Sequence, residues 1–259
     1  MTTGAPGHDR ECRGGLPPEL FAHRTEVGGP QLSLRGRHGL GHRAMFPRAP
    51  AAAVQGAGAA SVASMDVPSR VVPVSRDPAF TVIETDRLLL RRFGLRDIAA
   101  FHAYRADDGV ARYQSWQGYT LEQAERFVEG LRREDPGVPG APFQFAVARL
   151  DDDTLVGDCM LAVDPGHPAT GEIGFTVAPA HQGRGYACEA ATALLDYAFD
   201  RFDLAAARSV TDARNAASIA VARRLGMRLR STAHTRFKGE PCAEQTYEVT
   251  REAWRARRP

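Results

Sequence analysis

The segment Ile173–Phe202, with the sequence IGFTVAPAHQGRGYACEAATALLDYAFDRF, restricts the fold of this chain more than any other segment. Its apolar strand pattern stops at Pro179, which has no N–H to donate to a neighbouring strand. A glycine-rich turn follows, and from Gly185 onward small and apolar residues recur at helical spacing. The segment therefore predicts a strand that enters a long helix through a tight turn.

The turn Gln182–Ala187 (QGRGYA) predicts an anion-binding site. The N-terminus of a helix presents unpaired N–H groups and the positive end of the helix dipole. Gly183 and Gly185 would let the backbone approach a ligand closely, and Arg184 would add a charged donor. The Walker A and dinucleotide-binding patterns do not fit, because Gly-Lys-Ser/Thr and a third glycine are absent. A surface turn that only caps the helix is the alternative interpretation.

Composition and charge narrow the classes of partner. Hydrophobic residues make up 43% of the 259-residue chain and charged residues 25%, as in ordinary globular proteins. The net charge of +2 gives no general attraction to nucleic acid or to membranes, and we expect neither as a partner. The four cysteines are far apart and form no CxxC pair, which argues against a metal site and favours reduced thiols in the cytoplasm.

The first 79 residues differ in composition from the rest of the chain. They are rich in Gly, Pro, Ala, Arg and His and contain few large apolar residues. Such a segment cannot bury enough surface to offset the entropy lost on ordering. We predict a disordered low-complexity tail over residues 1–79 and one domain over residues 80–259. An over-long gene start, with Met65 as the natural first residue, is an alternative explanation of the tail.

The remaining residues predict a single α/β (α+β) domain with a mixed sheet. Thr120 and Gln123 form a capping-box pattern that opens one helix, and Asn215 is placed to cap another. The predicted helices are Leu95–Ala106, a helix from Leu121, Gly185–Phe202 and Asn215–Gly226. The predicted strands are Arg87–Phe93, Phe143–Arg149, Leu155–Val163, Gly171–Val177, Ala207–Ala213, Met227–Arg236 and Gln245–Thr250.

Five short motifs occur in a fixed order along the domain. They are Thr85–Arg91 (TDRLLLR), Gln182–Ala187 (QGRGYA), Asn215–Ser218 (NAAS), Arg224–Met227 (RLGM) and Tyr247–Trp254 (YEVTREAW). In this arrangement the chain resembles the GCN5-related N-acetyltransferase (GNAT) superfamily, in its RimJ/RimL-like branch, over about residues 82–256. The resemblance implies the GNAT fold, a mixed and mostly antiparallel sheet flanked by helices, with two central strands splayed apart.

The resemblance also implies that acetyl-coenzyme A is the co-substrate. Its pyrophosphate would lie on the N–H groups of the turn Gln182–Ala187. Its pantetheine arm would lie between Ile173–Val177 and Ala207–Thr211, bonded to the first of these like an added strand. The residues expected to bind the coenzyme are Phe175, Thr176, Val177, Gln182, Gly183, Arg184, Gly185, Tyr186, Ala187, Asn215 and Ser218.

The expected reaction is direct attack of an amine on the thioester. Glu172 is the candidate base, because it shares one strand face with Gly174 and Thr176 and the glycine leaves room for a substrate. A solvent-facing glutamate at a strand end is the alternative. Many relatives supply a tyrosine acid where this chain has Ala222, and we assign proton donation to the leaving sulfur to Ser218. Ser218 could instead serve only the start of the helix.

Aromatic residues between the first two helices suggest an acceptor site. Trp116 and Tyr119, close to Tyr113, occupy the region that lines the acceptor pocket in relatives, where an aromatic wall would position an amine. Packing in the core is the alternative for these rings. The resemblance leaves the acceptor open between a protein N-terminus and a small amine, and the assembly open between a monomer and a homodimer. A non-catalytic acyl-CoA-binding regulatory module is the competing function.

Overall fold

A computed structural model describes residues 76–164, 166 and 169–257, and these residues form one eight-stranded sheet flanked by helices. The strands are β1 (Val82–Glu84), β2 (Leu88–Arg91), β3 (Pro142–Arg149), β4 (Leu155–Asp164), β5 (Thr170–Val177), β6 (Ala206–Asp212), β7 (Arg228–Phe237) and β8 (Glu240–Thr250). The helices are α1 (Ile98–Arg105), α2 (Asp108–Ala111), α3 (Leu121–Leu131), α4 (Tyr186–Arg201), α5 (Ala216–Arg224) and α6 (Arg251–Arg255). No helix among the described residues is long and apolar enough to span a membrane.

The strand order is β1-β2-β3-β4-β5-β6-β8-β7, and every neighbouring pair is antiparallel except β5 with β6. The parallel pair is short, because it joins only Thr170–Glu172 to Ala206–Arg208. Beyond that point the described parts of β5 and β6 form no further pairs with each other. The predicted mixed, mostly antiparallel sheet with splayed central strands is therefore confirmed.

The two faces of the sheet carry different helices. Along β3, Phe143 and Phe145 point into the main core with α4, whereas Ala146, on the opposite face, packs with the cluster of α1 and α3. Leu194 of α4 has no exposed surface. Alternation along the strands thus sends one set of side chains to each helical layer.

The predicted helix starts follow local rules and are confirmed. The Thr120 side chain accepts from the Gln123 N–H, and the Gln123 side chain accepts from the Thr120 N–H, which completes the capping box of α3. The Asn215 side chain accepts from the Ser218 N–H at the start of α5. Such caps depend on residues only three apart, and for this reason they can be recognised without the rest of the fold.

The structure differs from the prediction mainly in the edge strands. A strand absent from the prediction, β1, pairs with β2, and β8 begins at Glu240 instead of Gln245. The partner of β8, the edge strand β7, is exposed over nearly its whole length and has no apolar alternation. Lys238 and Gly239, both at positive φ, form a two-residue turn that joins β7 to β8. Backbone pairing next to this turn makes the hairpin longer than the side-chain pattern predicts.

The predicted tail lies outside the described residues apart from residues 76–79. Within these, Asp77 is buried and accepts a hydrogen bond of 3.0 Å from the Tyr197 hydroxyl. The same carboxylate pairs with Arg201 at 3.2 Å. Contacts with the C-terminal end of α4 therefore begin before Phe80, the residue at which the predicted domain starts.

Leu194→Ala should lower the free energy of unfolding by about 2–5 kcal/mol, because it removes buried methyl groups and leaves a cavity under α4. Leu229→Ala is the matched control, since Leu229 is 51% exposed on β7; that change should stay within about 0.5 kcal/mol. Urea denaturation followed by circular dichroism measures both. Equal losses in the two variants would contradict the assigned core.

Candidate functional site

The turn between β5 and α4 has an unusual backbone. Gly183 and Gly185 lie at φ +74° and +83°, a region that strains any residue with a side chain. A Cβ on Gly183 would meet nothing within 4 Å, so the conformation, and not lack of space, requires glycine there. The sequence thus forces the chain to reverse its direction sharply between the strand and the helix.

The turn leaves a group of backbone donors unused. The N–H groups of residues 183–187 have no acceptor in the described part of the chain, whereas Cys188 and Glu189 both donate to the Gly185 carbonyl at 3.1 Å. Gln182 differs from its neighbours, because its N–H donates to the Pro179 carbonyl at 3.3 Å and its side chain donates to the Val177 carbonyl at 3.0 Å. Five consecutive unpaired donors at a helix N-terminus are an arrangement suited to binding an anion.

The motif Thr85–Arg87, about a hundred residues earlier in the chain, contacts this turn and stabilises it. The Glu189 carboxylate in the first turn of α4 accepts from the Thr85 hydroxyl at 2.6 Å and from the Arg87 guanidinium at 2.7 Å. Arg87 also donates to the Arg184 carbonyl at 3.2 Å, and its guanidinium lies 5.0 Å from the centroid of the Tyr186 ring. The motif Thr85–Arg91 is recognisable in the sequence, but the sequence does not predict these contacts, which are called the brace here.

Arg184 places a positive charge on the turn. The Arg184 guanidinium is exposed at its tip. Desolvation, with the nearby charges of Arg184 and Arg149, lowers the pKa of His181. Arg184 stays charged at every physiological pH, which suits a phosphate ligand.

The β6-facing edge of β5 is open beside the turn. From Ile173 to Val177 it faces no strand, while the other edge is paired with β4 over Thr170–Val177. Ile173 is buried in the main core and Phe175 packs partly against it, so β5 is fixed although it lacks a partner on one side. Unpaired backbone groups on such an edge need hydrogen-bond partners, and an extended ligand can supply them.

Glu172 lies where the two strands begin to diverge. It is the last residue of β5 paired with β6, opposite Arg208, and its side chain is partly exposed. Gly174 and Thr176 follow on the same face, and a Cβ on Gly174 would meet the Met160 side chain at 3.5 Å. The gap that opens between β5 and β6 after this pairing is called the fork here, and the candidate base lies where the fork begins.

Ser218 and Asn215 lie on the far side of the fork, at the start of α5. Asn215 caps this helix through the Ser218 N–H at 3.2 Å, and Ser218 is partly exposed. Ala222, one turn further on, is 1% exposed and belongs to the main core. The position at which relatives carry tyrosine is therefore filled by a small core residue, and Ser218 is the only hydroxyl-bearing residue of α5.

Trp116 and Tyr119 pack around a buried arginine. The Arg105 guanidinium lies 3.6 Å from the centroid of the Trp116 ring and 5.9 Å from that of Tyr119, and both rings remain partly exposed. The Trp116 indole N–H donates to the Arg105 carbonyl at 3.1 Å. The rings thus have one side in the core and one side toward the surface. Packing is observed for both rings, and their role in binding an acceptor remains a prediction.

Asp158 pairs with Arg105 in the interior. It lies on β4, is 1% exposed, and accepts from Arg105 at 3.1 Å, from the Tyr104 hydroxyl at 2.5 Å and from the Gln144 side chain. Burial, reinforced by the Asp158 charge, raises the pKa of Tyr104 well above its usual value. Sequence reasoning missed this cluster, for which a single Asp within the apolar strand LVGDCMLAV was the signal.

Two other features have simple structural explanations. Cys188 is partly buried and packs against the main core. Among the described residues, no base forms a hydrogen bond with its thiol. The triplet Asp151–Asp153 forms the turn between β3 and β4. Among the described residues, no three His, Cys, Asp or Glu side chains are grouped so that they could hold a metal ion.

Comparison with known proteins agrees with this geometry. The family model described as acetyltransferase (GNAT) domain matches residues 87–228. The uncharacterized N-acetyltransferase YnaD of Bacillus subtilis is 33% identical over 146 residues, which cover 56% of this chain and 82% of YnaD. The crystal structure of a GNAT-family acetyltransferase from Bacillus anthracis superposes with a TM-score of 0.59 and 28% identity, covering 66% of this chain and 99% of that one.

A further structure shows the same fold at lower identity. The ribosomal L7/L12 alpha-N-protein acetyltransferase RimL, solved in complex with coenzyme A, superposes with a TM-score of 0.57 at 19% identity and covers 66% of this chain and 99% of its own. At that identity the likeness concerns the fold alone. From the family match and these relatives, together with the open fork and the glycine turn, the chain belongs to the GNAT acetyltransferase family.

Proposed function

We propose that this protein transfers an acetyl group from acetyl-coenzyme A to a primary amine by direct attack of the amine on the thioester. One observation carries the proposal: an unpaired strand edge and a row of unpaired N–H groups adjoin each other. Pairing of β5 with β6 stops after Glu172, and the five free N–H groups begin at Gly183. A ligand with an extended amide-bearing arm and a pyrophosphate would satisfy both sets.

The residues present fit coenzyme A at both ends of this site. The N–H groups of residues 183–187 and the Arg184 guanidinium would hold the pyrophosphate, and Gln182 would shape the turn through its side chain. The backbone of Phe175, Thr176 and Val177 would bond to the pantetheine amides, with Asn215 across the fork. A backbone N–H of β5 next to the acetyl carbonyl would stabilise the charge that develops on its oxygen.

Glu172 and Ser218 would handle the two protons of the reaction. The amine arrives as an ammonium ion and loses a proton to the Glu172 carboxylate, directly or through water. The lone pair of the amine forms the new C–N bond as the C–S bond breaks. The Ser218 hydroxyl would give its proton to the departing sulfur and take the second proton that the nitrogen loses on becoming an amide, so that the serine ends unchanged. Free thiols at the described cysteines, Cys159, Cys188 and Cys242, fit a reducing cytoplasm as the compartment we propose.

The acceptor is either a protein N-terminus or a small amine. A panel of peptides with different N-terminal residues, spermidine and kanamycin, assayed with acetyl-coenzyme A by thiol release, distinguishes them. Turnover of at least one amine supports the proposal. The position of Ala222 in the core favours a second function, a non-catalytic acyl-CoA-binding module. Binding of coenzyme A without turnover of any amine would support that function instead.

Glu172→Gln should lower kcat/KM for the best amine of the panel by roughly 10²–10⁴-fold, the usual contribution of a general base. The dissociation constant of coenzyme A, measured by calorimetry, should stay unchanged because the backbone site is intact. Glu122→Gln is the control, since Glu122 is exposed on α3. Unchanged turnover in Glu172→Gln would rule out the assigned base.

Arg87→Ala should weaken coenzyme A binding by roughly tenfold, because the lost contacts with Glu189 and the Arg184 carbonyl leave the turn less ordered. Turnover at saturating acetyl-coenzyme A should change much less. Arg126→Ala serves as the control, because Arg126 is exposed and, among the described residues, its ion pair with Glu122 lies within α3. Calorimetry with coenzyme A measures the effect, and equal affinity in Arg87→Ala and the unaltered protein would show that the brace does not shape the turn.

A further inference from the structure

The loop between α2 and α3, residues 112–120, bridges the two halves of the sheet; it is called the bridging loop here. Its Tyr113 hydroxyl donates to the Arg214 carbonyl at 3.3 Å, just beyond the end of β6. On the other side of the fork its Trp116 ring lies against Arg105, which pairs with Asp158 of β4. The bridging loop therefore contacts the structure on both sides of the fork.

A lysine ties the bridging loop to the outer hairpin. Lys238, the only lysine of the chain, lies in the turn between β7 and β8. Its ammonium donates to the Ala111 carbonyl at 2.8 Å and to the Trp116 carbonyl at 2.7 Å. The Lys238 side chain thus joins Ala111 and Trp116 to the hairpin β7–β8, which lies more than a hundred residues later in the chain.

A second cation holds the same tryptophan from the interior. The Arg105 side chain is 2% exposed, its guanidinium lies 3.6 Å from the centroid of the Trp116 ring, and the Trp116 N–H donates to the Arg105 carbonyl at 3.1 Å. Asp158, its ionic partner, lies directly opposite Thr176 of β5. The contacts therefore run from β5 through Asp158 and Arg105 to Trp116.

Stability alone gives no reason for this buried pair. Well-packed apolar residues in place of a buried ion pair are often neutral or stabilising, because the charges lose more hydration than their attraction returns. The Arg105 Nε, moreover, is buried and has no acceptor among the described residues. A role in placing a neighbouring element accounts for the pair where a gain in stability does not.

We propose that Arg105 is a positioning residue that fixes Trp116 and the bridging loop across the fork, with Lys238 fixing the same loop from outside. Neither cation needs to touch the acceptor. Both determine how tightly the acceptor binds, because they set the position of the surface that faces the open strands. The part of the inference that concerns acceptor affinity rests on the proposed acetyl transfer, whereas the part that concerns the loop does not.

Three variants separate positioning from simple stability. Arg105→Met alone leaves the Asp158 charge buried and unpaired and should destabilise the protein. The double variant Arg105→Met/Asp158→Met removes both charges and should recover stability. Lys238→Met removes the outer contact from an exposed residue, so folding is not at risk. Arg91→Met is the control for the loss of an ion pair elsewhere, because its mostly buried guanidinium pairs with Asp97 and Asp153 away from the bridging loop.

Hydrogen–deuterium exchange by mass spectrometry reports on the bridging loop without any substrate. In the double variant and in Lys238→Met, exchange of residues 112–119 should rise by about tenfold or more, while that of α4 stays unchanged. Arg91→Met should leave exchange of the bridging loop unchanged. If the double variant regains both stability and native exchange in the bridging loop, the pair serves folding only and the proposal is overturned.

Kinetics with the best amine of the panel tests the consequence for the acceptor. In the double variant and in Lys238→Met the KM for the amine should rise by roughly tenfold, and the dissociation constant of coenzyme A should stay within about twofold, as expected when one binding surface is displaced. Higher loop exchange with an unchanged amine KM would overturn the role in acceptor affinity. If the native protein acetylates no amine, the proposed function fails, and the exchange experiment still decides whether Arg105 positions the loop.

Discussion

The early end of pairing between β5 and β6 is the constraint on which the rest of the structure depends. Only Thr170–Glu172 pairs with Ala206–Arg208, and the strands then separate. Each strand keeps a full partner on its other edge, β4 for β5 and β8 for β6, so the opening costs each strand only one set of backbone hydrogen bonds. The fork is therefore a stable opening in a continuous sheet, and its unpaired backbone is available to a ligand.

The glycine turn places unpaired N–H groups beyond the end of β5, where we propose an anion site, and distant residues hold the turn in place. Gly183 and Gly185 supply a backbone conformation that other residues would strain, and the N–H groups of residues 183–187 are left without acceptors among the described residues. Glu189 then connects the first turn of α4 to Thr85 and Arg87, about a hundred residues earlier in the chain. Local backbone geometry creates the donors, and a tertiary ion pair keeps them positioned.

The other face of the sheet contains charge where a core is normally apolar. Arg105 and Asp158 are buried together, and aromatic rings surround the guanidinium. Trp116 contributes to this cluster from the bridging loop and is also bonded through its carbonyl to Lys238. The position of Trp116, near the proposed acceptor site, thus depends on its contacts with the charged side chains of Arg105 and Lys238.

The sequence by itself determined the features that depend on neighbouring residues. The periodicity of α4, the Thr120–Gln123 and Asn215 caps and the glycine turn all arise within a few positions of the chain, so their signals survive without a fold. Only the tertiary structure decided the length of the β5–β6 pairing, the extent of the exposed hairpin β7–β8, and the Arg87–Glu189 and Arg105–Asp158 pairs. These join residues far apart in sequence, and no periodic pattern marks such a pairing; it exists only once the sheet brings the two strands, or the two charges, together.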